Sequence, residues 1–339
     1  MTTLPWPPGA TTGVGSLPGT DPAEAARLVL GELPDLPHLP ELPGRGPGAD
    51  LLGRCGVLLP ELYLDLQPAG WRLVPRPGVD SRRARDMLAR DLDAFEGAAQ
   101  GYAGAVKLQA AGPWTLAAGV ELSRGNKTLS DLGAVRDIAA ALAEGVAAHI
   151  ADVQRRVPGA VLLMQLDEPS LPAVLDGRVP TASGFGTLPV VEPQAAADQL
   201  EIVLTAVHQA GAMPLVHCCA AMPPIDLLLV AGARGLSLDL TALTRRADES
   251  VGTAVERGVA LFLGTVPSTE ADLSDPRRTV DPIRSLWARL GFPPEQLATA
   301  VVVSPTCGLA GATPGYARVA LAACRAAGRT LVEEPAEVR

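Results

Sequence analysis

Along nearly its whole length the chain alternates short apolar runs with longer amphipathic stretches, and this rhythm limits the fold more than any other feature. The apolar runs fall at 11–16, 56–63, 106–111, 161–166, 214–218, 235–240, 259–263 and 301–303. Several are apolar throughout, as expected of parallel strands covered on both faces. Helical periodicity fills the intervals 21–33, 81–102, 130–156, 192–209, 242–257, 280–290 and 314–327, with Asp21 placed as the N-cap of the first. Over 81–102, Leu88, Leu92 and Phe95 share one face and charged residues the other. Strand–helix alternation implies right-handed βαβ units and a parallel sheet. Eight repeats predict closure into a single (β/α)8 TIM barrel, with a doubly wound open sheet as the rival. Two irregular insertions interrupt the pattern, one after the first helix (34–50, dense in Pro and Gly) and one after the fourth strand (169–193). The expected organisation is one catalytic domain over Met1–Arg339.

Composition narrows the partners. Of 339 residues, 47% are hydrophobic and 19% charged, enough for a large core, and the net charge of −9 disfavours nucleic acid and anionic membranes. Lysine occurs only at Lys107 and Lys127. Residues 1–10 lack a basic start and are broken by Pro5, Pro7 and Pro8, unlike a secretory signal. No apolar stretch approaches the roughly 18 residues of a spanning helix. Five cysteines, an odd number without a secretory signal, predict reduced thiols in the cytoplasm.

The polar residues gather just after the apolar runs: Ser16 in GVGSLPG, Gly112-Pro113, Asp167-Glu168, His217-Cys218-Cys219, Asp239, and Cys307 in SPTCG. In a barrel these strand ends converge on the one mouth where active sites are built. His217, Cys219 and Cys307 form a thiolate–imidazole–thiolate set suited to zinc. Strand alternation turns His217 and Cys219 the same way and Cys218 the other, so Cys218 is expected to pack. Asp239 is the expected fourth, oxygen ligand. The competing reading makes each of these a buried core residue, as free cysteine commonly is. Cys55, Cys324, His38, His149 and His208 are read as packing, loop or helix-face residues. Asp167 and Glu168 fit either an ammonium-binding, acid–base pair or a loop cap with an ion pair. GSLPG is neither GxGxxG nor a P-loop, so it carries little phosphate signal.

From GVGSLPG through the GP of LQAAGPW, LDEPSL and LVHCC to SPTCGL, these residues resemble the catalytic barrel of cobalamin-independent methionine synthase, within the superfamily that includes uroporphyrinogen decarboxylase. The resemblance implies a barrel whose zinc binds and activates the homocysteine thiol. It implies metal ligation by His217, Cys219 and Cys307, with Asp239 where the family has Glu. It implies substrate binding by Asp167 (the ammonium) and Ser16 (near the carboxylate), with Glu168 beside them. A metal-bound thiol becomes a nucleophile near neutral pH, which suits methyl transfer. The chain departs from the family in four places. It lacks the long form's second barrel; Gly119 stands near the folate-binding tryptophan; Phe262 stands near a proton-donating histidine; Gly53 stands near a homocysteine-binding Glu. The expected function is zinc-dependent methyl transfer to a small-molecule thiol, homocysteine or another. The donor is a methylcorrinoid or corrinoid protein, or methyltetrahydrofolate. A barrel that binds zinc or thiol without turnover, as sensor or accessory protein, is the reading from a different class.

Overall fold

A computed structural model describes residues 4–336. Strands β1 (Tyr63–Gln67) and β2 (Gly70–Val74) form an antiparallel hairpin of their own. Strands β3 (Ala105–Ala111), β4 (Val161–Asp167), β5 (Met213–Cys218), β6 (Gly235–Asp239), β7 (Ala260–Val266) and β8 (Val301–Pro305) make a curled parallel sheet in sequential order. These six are the apolar runs from 106 onward. Every residue of β3, β7 and β8 is buried, as a parallel sheet covered on both faces requires.

The helices are α1 (Pro22–Glu32), α2 (Leu51–Cys55), α3 (Val79–Ala98), α4 (Pro113–Gly119), α5 (Leu132–Arg156), α6 (Leu171–Leu175), α7 (Pro193–Gln209), α8 (Ile225–Val230), α9 (Asp248–Glu256), α10 (Arg277–Leu290), α11 (Leu297–Ala300) and α12 (Pro314–Glu333). The predicted stretches give α1, α3, α5, α7, α9, α10 and α12, whereas the short α2, α4, α6, α8 and α11 lie outside them. The Asp21 carboxylate caps α1, accepting from the N–H groups of Ala23 and Glu24. Among the described residues no helix is long and apolar enough to cross a membrane.

Two predicted strands are corrected. Residues 11–16 make only isolated bridges, at Thr11 and Ser16. Residues 56–63 do not join the parallel sheet. Asp50 caps α2 through the Gly53 N–H at 2.6 Å, and the helical course continues as a 3-10 turn over Gly56–Leu58. Glu61 then adopts φ +62° before the β1–β2 hairpin begins.

The segment beside β3 comes instead from the Pro-rich insertion. His38 bridges Lys107 in parallel: the Lys107 N–H donates to Pro37 O and the Leu39 N–H to Lys107 O, both at 2.9 Å. Proline lacks an N–H but keeps its carbonyl, so Pro37 serves as an acceptor here. On the other edge the Thr12 N–H donates to Val303 O at 3.1 Å. The two segments meet where Glu41 N–H donates to Gly15 O (3.1 Å) and Leu17 N–H to Glu41 O (2.8 Å). Backbone bonds therefore run from β8 through residues 12–17 and 37–41 to β3.

The inner face is layered. Towards the N-terminal ends of the strands, Ala105, Leu163, Leu215, Phe262 and Val302 pack with Trp6, Ala10 and Leu36 in an apolar cluster separate from the main core. Trp6 meets Phe262 edge-on, with centroids 5.6 Å apart. The next positions toward the C-terminal ends carry Lys107, Gln109, Gln165, Asp167, His217 and Ser237, all buried.

Candidate functional site

Three side chains converge at the C-terminal edge of the sheet. His217 ends the inward-facing positions of β5, Cys219 follows one turn of the pleat later, and Cys307 sits two residues past β8. One ligand atom from each lies within 4.8 Å of the other two, and no other such group occurs among the described residues. The two sulfurs are 3.6 Å apart. Both thiols are half-buried, whereas Cys218 is fully buried and its thiol is pushed up to about 11 by burial.

The electrostatics favour a shared anionic charge. The Cys219 thiol, by hydrogen bonding, and the neighbouring His217 imidazole favour a thiolate on Cys307 and hold its thiol well below the usual range. The same thiol hydrogen bond pushes Cys219 upward, because a second thiolate beside the first is opposed. A dication would remove that opposition.

His217 is oriented from behind. Its Nδ1 lies 2.9 Å from the Ser237 hydroxyl, while its Nε2 is buried with no protein partner. If Nδ1–H donates to Ser237 Oγ, Nε2 keeps its lone pair free, the arrangement metal-binding histidines use. An orphaned imidazole nitrogen beside two sulfurs is a donor set that fits zinc, with a fourth position left for an exogenous ligand.

The oxygen groups divide. Asp239 is not among the clustered atoms. Its Oδ1 accepts from Thr241 N–H (2.9 Å), the Thr241 hydroxyl (2.6 Å) and Ala242 N–H (3.3 Å). This turn also delays the following helix, which starts at Asp248 and not at 242. Glu168 is fully buried and holds the N-terminus of α4. Its two oxygens accept from Trp114 N–H at 2.9 Å, Thr115 N–H at 2.8 Å and the Thr115 hydroxyl at 2.8 Å. Burial raises its carboxyl to about 7 even though those donors pull it down. Gly112 makes room for it, since a Cβ there would stand 2.3 Å from Glu168 Oε1.

Asp167 lies beside His217 in register and accepts from Gln165 Nε2 at 2.7 Å through Oδ1. Burial raises it to about 7, against the pull of His217 and Lys107. Ser16 is half-buried and touches the loop that carries Cys307: a Cβ on Gly308 would fall 2.0 Å from Ser16 Oγ, and Leu309 N–H donates to Ser16 O.

Sequence reasoning missed Glu41, buried beside Ser16 and paired with Arg54 at 3.3 Å. Gly53, where an acidic residue was sought, has no space for one, as a Cβ would meet Pro47 O and Trp71 at 2.3 Å. Ser237, Lys107, Gln109 and Gln165 were missed too. Each is a polar residue set at alternate spacing inside an apolar run, which is the signal that would have found them. Phe262 and Gly119 are close-packed: Phe262 belongs to the inner apolar cluster, and Gly119 abuts Leu52.

No protein-family model matches the sequence and no curated protein matches it. Among solved structures the chain is similar to a B12-independent methionine synthase from Shewanella sp. W3-18-1, in complex with selenomethionine. The two share 13% identity with a TM-score of 0.66, over 97% of this chain and 99% of that one. A glycoside hydrolase family 20 β-N-acetylglucosaminidase is 14% identical with a TM-score of 0.47, over 94% of this chain and 70% of that one. The first likeness defines an architecture of TIM-barrel type. At such identity it speaks to fold alone.

Proposed function

We propose that the chain is a zinc-dependent methyltransferase whose single catalytic domain is a (β/α)8 barrel. In this reading residues 12–17 and 37–41 take the first and second strand positions. The observation that carries it is the His217 imidazole, one of whose nitrogens lies within 4.8 Å of the Cys219 and Cys307 sulfurs and whose Nε2 is buried and unpartnered. The fold-level likeness to a methionine synthase supports homocysteine as the thiol, with methionine as product.

His217, Cys219 and Cys307 would hold the metal, and Ser237 keeps the imidazole in the required tautomer. Zinc bound there supplies a Lewis acid that makes a coordinated thiol nucleophilic near neutral pH. The buried carboxylates Asp167 and Glu41 suit an ammonium group, and Ser16 offers a hydroxyl to a carboxylate. Glu168 takes no part in this scheme because both its oxygens are held by α4, and Asp239 is left out because its Oδ1 is held by the turn at Thr241 and it lies outside the clustered ligand atoms. The donor is a methylcorrinoid in this scheme. The close-packed Gly119 and Phe262 leave no tryptophan or histidine with which to engage a folate.

The test measures zinc in purified protein, then titrates homocysteine while following proton release. Methyl transfer is then assayed with methylcobalamin and methyltetrahydrofolate offered separately. One zinc per chain, thiol-linked proton release and turnover with methylcobalamin are expected. Zinc equally absent from the wild type and from Cys219→Ser would sink the metal reading. Zinc without proton release would turn the reading to a binding protein, and turnover with folate alone would reverse the donor assignment.

A further inference from the structure

The two segments between β8 and β3 carry little backbone pairing, yet they deliver Ser16 and Glu41. Their inner side is held by side chains. The Val14 carbonyl accepts from Lys107 Nζ at 2.7 Å and from Gln165 Nε2 at 3.0 Å. The same Gln165 nitrogen donates to Asp167 Oδ1 at 2.7 Å. Lys107 also reaches Gln109 Oε1 at 3.4 Å, and Gln109 Nε2 donates to Leu39 O. One buried chain of hydrogen bonds thus links Asp167, the Val14–Ser16 turn and the Leu39–Glu41 stretch. Lys107 is wholly buried, Gln165 is 1% exposed and Gln109 2%.

Placing an ammonium there carries a desolvation cost of several kcal/mol, recovered only through close anionic and dipolar partners. Lys107 has such partners: the Val14 carbonyl dipole, and the negative charges of Asp167 and Glu41 acting on it. An ammonium donates in three directions and accepts none, so it can draw several acceptors around one point. An apolar residue would fill the space without ordering either segment.

We propose that Lys107 is a positioning residue for the end of the substrate remote from its thiol. By holding the Val14 carbonyl together with Gln165, and Leu39 through Gln109, it sets Ser16, Glu41 and Asp167 as one preformed unit. None of its members is one of the three clustered ligand residues. The assignment rests on the thiol-binding reading for its substrate, but its mechanical half does not.

The test compares zinc-loaded wild type, Lys107→Met and Lys107→Gln as full chains. Lys107→Met should keep its zinc and its affinity for 1-propanethiol while homocysteine binding weakens at least about tenfold, the scale of one charge-assisted hydrogen bond. Hydrogen exchange in peptides covering 11–17 and 37–43 should accelerate, with β4–β6 unchanged. Lys107→Gln keeps an N–H donor and should restore part of both effects. Equal weakening of both thiols, loss of zinc with the lysine, unchanged exchange in the two segments, or identical behaviour of the Met and Gln variants would each overturn the proposal. If Lys107→Met does not fold, Gln165→Leu strips the other donor from the same carbonyl and is judged by the same outcomes. A wild type that binds homocysteine no better than propanethiol would refute the functional reading, and the exchange pattern would still decide the positioning role.

Discussion

The two sides of the sheet are built on different principles. From β3 to β8 the strands are joined by continuous parallel ladders, and β5 and β8 bring His217, Cys219 and Cys307 to one place. Between β8 and β3 the chain offers two extended segments tied by single bridges at Thr11, Ser16 and His38. These are anchored from within by Lys107, Gln109 and Gln165. The ladder side places sulfur and imidazole within reach of one another. The sparse side places hydroxyl and carboxylate groups, whose positions a local side-chain network sets. Rigidity is supplied by backbone on one side and by buried polar side chains on the other, and the second kind is more sensitive to single substitutions.

This division can be broken in graded ways. The largest effect is expected on the ladder side, where Cys307→Ser should weaken zinc binding more than about 100-fold, beyond the 10–100-fold typical of an outer-shell change. Ser16→Ala, across the divide, and Cys218→Ser, on the reverse of β5, should both keep full zinc by metal analysis. Zinc loss in either control as deep as in Cys307→Ser would erase the distinction. Next, native-state hydrogen exchange of the unaltered protein should show the Thr12, Leu39 and Glu41 amides opening locally. Their exchange should be at least about tenfold faster than that of amides in β4–β6, which need larger unfolding. Uniform protection would mean that the bridges are as strong as the ladders. The smallest effect is expected for Asp239→Ala, a loss of about 1 kcal/mol in denaturant unfolding from the lost turn contacts, with zinc unchanged. A clear fall in zinc content would restore Asp239 as a ligand.

The same contrast explains what could be read from the sequence. The six ladder strands announce themselves as apolar runs because both of their faces are buried. HxC carries its own geometry, since alternation puts His217 and Cys219 on one face. The 37–41 segment hides because Pro37 and Pro40 suppress every strand signal, although a proline carbonyl is an adequate acceptor. Residues 56–63 mislead in the opposite sense: VLLPELY is apolar enough for a strand, but the Asp50 cap has already committed the chain to a helical course. Asp167 and Glu168 look alike in sequence, and only the fold separates them. Strand alternation turns Asp167 toward His217, while Glu168 meets the free N–H groups of α4. Glu41 had no local signature at all, because its neighbours Arg54, Ser16 and Gln109 come from elsewhere in the chain.

The apolar cluster of Trp6, Leu36 and Phe262 carries a consequence for traffic through the molecule. It fills the end of the inner face opposite the cysteines with buried apolar side chains. Under the proposed function, a thiol and its methyl carrier would therefore both have to approach from the cysteine end of the sheet.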